Sequence, residues 1–193
     1  MHITTPDFLD EATPDEAIAA ARQDANQLIE ALGLDTSPPA STVAQRLNYT
    51  PIYTTDDRRG VLKTSPEKAR AIVVQKDPRR KSKSARSVSE SLEIYFYLAY
   101  ALLEDSNFTF VNSDVHHNPH LNPKTPREVY ASEFGRAMLL DEPGLRDWIN
   151  VLSINYGRGE GPLLALAIAE SLRLPSKFVQ SRMAAYNIDV YAL

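Results

Sequence analysis

The side chains best placed to do chemistry in this chain are three histidines gathered in His116-His117-Asn118-Pro119-His120. His116 and His120 stand four residues apart, the spacing that sets two imidazoles on one face of a helix, where they could share a zinc ion. Pro119 falls between them and removes an amide that a helix would need, so the segment reads as a polar loop. Adventitious metal binding by these histidines, with Glu128 as a third ligand, is the alternative. Other chemistries have less to start from. The chain has no cysteine, hence no thiolate nucleophile, disulfide framework or thiolate metal site. No Gly-x-Ser-x-Gly elbow occurs. The glycines of Tyr156-Gly157-Arg158-Gly159-Glu160-Gly161 do not follow a strand pattern, so they read as a hinge before a helix near Pro162 and not as a phosphate loop.

The elements that would have to position these groups are marked by caps and periodicity. Thr13, Pro14 and Glu16 spell an N-cap, a first-turn proline and a capping box. Ile18, Ala21, Ala25, Leu28, Ile29 and Leu32 then recur at helical spacing until Gly33 and Pro38-Pro39 end the run. A short helix is expected over 41–47. Strand signals follow at 50–55, in Gly-Val-Leu-Lys and in Arg-Ala-Ile-Val-Val-Gln-Lys, the last two separated by the turn-like Thr64-Ser65-Pro66-Glu67. A long helix is expected from Val88 to Glu104, with Val88, Leu92, Tyr95, Phe96, Ala99, Leu102 and Leu103 on its apolar face. Thr125-Pro126-Arg127-Glu128 repeats the capping grammar and opens a helix to about Leu140, broken by Pro143-Gly144. Helices over 144–156, 162–173 and 176–186 complete the chain. Helix, then sheet, then helices is the order of an α+β protein.

Composition bounds what this protein does. At 43% hydrophobic and 24% charged residues the chain can bury a real core, and no apolar run is long enough to span a membrane. The acidic, polar N-terminus resembles neither a secretory nor a transit signal, so a cytoplasmic protein with no membrane partner is expected. A net charge of −4 argues against wholesale nucleic-acid binding. The charge is uneven, however: residues 76–86 hold six basic side chains against one aspartate. That stretch reads as a solvated loop, or else as a patch in which Arg79, Arg80, Lys81 and Lys83 meet an acidic partner or a phosphate backbone.

Three segments together resemble the ImmA/IrrE family of zinc metallopeptidases, bacterial and phage proteins that act on helix-turn-helix repressors. The catalytic helix of that family opens with a pattern close to Phe-Thr-Leu-Ala-His-Glu-Leu-Gly-His; Phe96-Tyr-Leu-Ala-Tyr-Ala-Leu-Leu-Glu104 aligns with it without a gap, matching at Phe96, Leu98, Ala99 and Leu102. The family's next helix, Glu-x-x-Ala-Asn-x-Phe-Ala, is matched at Glu128, Ala131 and Phe134, with Leu139 and Leu140 at its end. The strand residues 71–74 precede the catalytic helix as in the family, and residues 165–183 resemble its later helix-turn-helix-like pair. The strand signals themselves suggest a small antiparallel sheet of three or so strands; the resemblance implies that it packs against helices in a zincin-like core over residues 1–145, with a C-terminal helix-turn-helix-like region over 146–193.

The departures from the family pattern matter more than the matches. In a His-Glu-x-x-His site the histidines bind zinc and the glutamate deprotonates its water. Here those positions hold Tyr100, Ala101 and Glu104, of which only Glu104 could easily bind a metal, while Glu128 keeps the position of the family's downstream glutamate ligand. No histidine lies between His2 and His116, so no shift of register restores the pair. The resemblance therefore implies a vestigial site of Tyr100, Ala101, Glu104 and Glu128, with no catalytic residue, no metal and no cofactor. The implied partner is a protein, a helix-turn-helix repressor or a phage or toxin–antitoxin element. In the C-terminal pair, Lys177, Gln180, Ser181 and Arg182 lie where a second helix would meet phosphates or base edges, but Arg173 stands where such a turn often has glycine, so the pair reads first as an ordinary helical hairpin closing the core; a DNA-binding module stands as the alternative, beside a residual hydrolase built on His116, His117 or His120.

Overall fold

The computed structural model describes residues 4–54, 59–63, 70–75, 88–103, 110–112, 122–156 and 160–189. The chain divides into two compact units, Met1–Leu139 and Leu140–Leu193. It is a mixed α+β protein, mostly helical, with one small sheet.

The first unit opens with α1 (Pro6–Glu11), α2 (Pro14–Leu32) and α3 (Ala40–Arg46). The expected capping box is formed: the Glu16 amide donates to Thr13 Oγ1 at 3.3 Å, and the Thr13 amide donates to Glu16 Oε2 at 2.8 Å. Gly33 ends α2 in the left-handed region at φ 55°, where the absence of a Cβ removes the steric penalty. Helix α1 is not among the expected elements. It uses the same grammar, Thr5 capping the Phe8 amide with Pro6 in the first turn, but six residues are too few to show a period.

Strands β1 (Tyr49–Thr54), β2 (Arg59–Lys63), β3 (Arg70–Gln75) and β4 (Phe110–Asn112) form one sheet in the order β1-β3-β2-β4. The expectation of an antiparallel sheet is corrected here. β2 pairs antiparallel with β3 and β4, but β1 runs parallel to β3, from Tyr49 opposite Arg70 to Thr54 opposite Gln75. The cause lies in which strand goes inside. β3 carries the near-continuous apolar run, with Ala71, Ile72 and Val74 buried, and a strand of that kind takes partners on both sides. β1 contains Pro51, which has no amide to donate, and is left at the edge of the sheet.

Helix α4 (Val88–Leu103) follows the sheet and α5 (Pro126–Leu139) follows β4. α4 packs against β2, β3, α3 and α5, while α5 packs against α1, α2 and α4. Enclosure on so many sides buries α4 almost all round, from Glu93 through Ala101, where periodicity alone suggested one wide apolar face. Gly135 allows α4 and α5 to approach closely: a Cβ there would lie 3.2 Å from Tyr95 Cβ and 3.4 Å from the Leu92 carbonyl oxygen. At the other end of the Tyr95 side chain, the hydroxyl donates to the Pro38 carbonyl at 2.9 Å, tying α4 to the segment before α3.

The second unit contains α6 (Glu142–Leu152), a short 3-10 turn (Ser153–Asn155), α7 (Gly161–Leu172) and α8 (Ser176–Ala185). Pro143-Gly144, expected as a break, belongs to the first turn of α6, where Asp141 caps the helix by accepting from the Gly144 amide at 3.2 Å. Leu140 and Leu145 are buried with Ile149, Leu164, Ile168, Val179 and Met183 in a core shared by the three helices. The unit boundary falls at 139/140, and these two leucines are part of the three-helix core. No helix among the described residues is long and apolar enough to cross a membrane.

Candidate functional site

The place to look for chemistry is α4 and α5, which carry the residues aligned with the zinc positions. Tyr100 is buried, and its ring centroid lies 5.2 Å from that of Phe96. Phe96 in turn meets Tyr97 edge to face at 5.3 Å, an arrangement that aligns ring edge with ring face. Ala101 is only 3% exposed, and its carbonyl accepts a hydrogen bond from the buried Tyr49 hydroxyl at 3.4 Å. Burial pushes the Tyr49 phenol up from its ordinary value, with the nearby Arg70 guanidinium pulling the other way. Tyr100 and Ala101 thus sit in an aromatic, apolar interior that joins α4 to the sheet.

Glu128 has a structural task of its own. Its Oε2 accepts from the amides of Lys124 at 2.6 Å and Thr125 at 3.1 Å, while its own amide donates to Thr125 Oγ1 at 3.2 Å. This is the second capping box read from the sequence, and it satisfies amides that the first turn of α5 leaves without partners. Glu104, His116, His117 and His120 lie outside the described residues, as do Arg79, Arg80, Lys81 and Lys83. Among the described residues no group of three or more histidines, aspartates or glutamates is arranged to hold a metal ion.

Sequence reasoning missed the polar contacts that fasten α5 to α1 and α2. Asp24, 4% exposed, accepts from the Tyr130 hydroxyl and from the Thr4 amide, both at 2.8 Å. Burial first, and then the Asp24 charge, raise the Tyr130 phenol far above its ordinary range, so it remains a donor across the accessible pH range. Glu133, also buried, accepts from Arg22 Nε at 2.7 Å. At the surface, Arg127 grips both Asp10 oxygens, at 2.7 Å and 2.6 Å, and the guanidinium holds that carboxyl below its usual value. One signal was available. Asp24 stands three residues after Ala21 and four before Leu28, so a carboxylate was already on the apolar face of α2.

In the second unit the expected contact residues separate. Lys177 and Gln180 are exposed on α8. Arg182 is corrected: at 1% exposure it cannot reach a phosphate from where it stands. Its Nε donates to the Leu140 carbonyl at 3.2 Å, its terminal nitrogen donates to the Tyr186 hydroxyl, and Tyr186 passes a hydrogen bond to the same carbonyl at 3.2 Å. The guanidinium also lies 4.5 Å from the Tyr186 ring centroid. A buried guanidinium needs acceptors, and these provide them. Helical spacing explains the inversion, since Arg182 shares a face with Val179 and Met183 and turns in with them.

Compared with known proteins, the chain matches no family model, no curated protein and no solved structure.

Proposed function

We propose that this protein is a catalytically inactive pseudopeptidase of the ImmA/IrrE type that works by binding a protein partner, a helix-turn-helix regulator of the kind that family engages. The observation that carries this reading is the state of Tyr100 and Ala101. The two positions aligned with a zinc histidine and the general base are buried packing elements, one with its ring tilted against Phe96 and the other bonded through its carbonyl to Tyr49. A phenol and a methyl group supply neither a zinc ligand set nor a base to activate water. Function then rests on surfaces and not on a reacting centre.

The test combines metal content, hydrolysis and partner binding. Full-length protein stripped with chelator and reloaded with zinc should retain no stoichiometric metal and cleave no peptide. A tagged chain recovered from its host should carry a regulator whose purified form binds it with saturable affinity, zinc present or absent. Stoichiometric zinc together with peptide cleavage would overturn the proposal and favour a hydrolase drawing on His116, His117 or His120. Glu128→Gln is the informative variant in that event, because glutamine keeps the capping box while removing the carboxylate ligand.

A further inference from the structure

We draw no further inference here: the strongest candidate, the exposed apolar side chains Val151, Ile154, Leu163 and Leu166 on α6, the 3-10 turn after it and α7 of the second unit, carries nothing because nothing in the structure shows what covers them.

Discussion

Helices α4 and α8 both carry candidate functional residues, and the two fold into opposite situations. In α4 the chosen residues are enclosed by the sheet, α3 and α5, and Tyr100 and Ala101 are part of the packing. In α8 three side chains face the core and a polar stripe faces outward. The difference teaches that a residue's position in a motif matters less than the side of the helix on which the neighbouring elements fall. Arg182 makes the point within a single helix, being five residues from Lys177 and buried while Lys177 is exposed.

That contrast can be broken or sharpened by substitution. Phe96→Ala should have the largest effect, costing about 3–5 kcal/mol in urea unfolding, because it empties the aromatic cluster around Tyr97 and Tyr100. Ala101→Glu should cost about 3 kcal/mol or more, because it places a carboxylate at a position that is 3% exposed. A variant at Ala101 that unfolded no more readily than the parent would show that α4 borders a cleft. Glu133→Gln should cost about 1–3 kcal/mol by weakening the charge-assisted bond from Arg22. Glu128→Ala should lose about 1 kcal/mol and Glu128→Gln less, the signature of a helix cap. On α8, Lys177→Glu should stay within about 0.5 kcal/mol of the parent, as an exposed site allows.

Acid titration separates the two units in a further way. Arg127 holds the exposed Asp10 carboxyl below its ordinary value, so the stabilisation it provides is present above the usual aspartate range and is lost as pH falls through the depressed value. Asp141 behaves in the opposite sense. Burial raises its carboxyl, despite the opposing Gly144 amide and Arg182 charge, so folding draws a contribution from this group at low pH that declines as pH rises through the raised value. Asp141→Asn, which retains a good N-cap, should remove that decline in unfolding midpoints followed between about pH 3 and 7. Asp10→Asn should remove only the loss on the acid side.

Much of the architecture was legible in the order and type of the residues. The α2 and α5 capping boxes, the Gly33 stop, the long α4 and the three C-terminal helices all lie close to where residue types and periods put them. Such features depend on contacts within a few residues, so local sequence decides them. The candidate site was less legible. Which amides Glu128 serves was readable from its spacing to Thr125, whereas the Asp24–Tyr130 and Arg22–Glu133 pairs join residues more than a hundred positions apart.

By itself, then, the sequence determined the α+β composition, the helix starts and stops, and the lack of imidazole anywhere on α4. Only the tertiary structure decided that β3 enters the sheet between β1 and β2, making the β1 pairing parallel. It also decided that α4 is buried almost all round, that Arg182 turns inward to Leu140 and Tyr186, and that Lys177 and Gln180 remain at the surface. The physical reason is common to all four. Strand order and side-chain exposure depend on which distant element covers a surface, and apolar burial is non-directional, so periodicity identifies a face without naming what will pack against it.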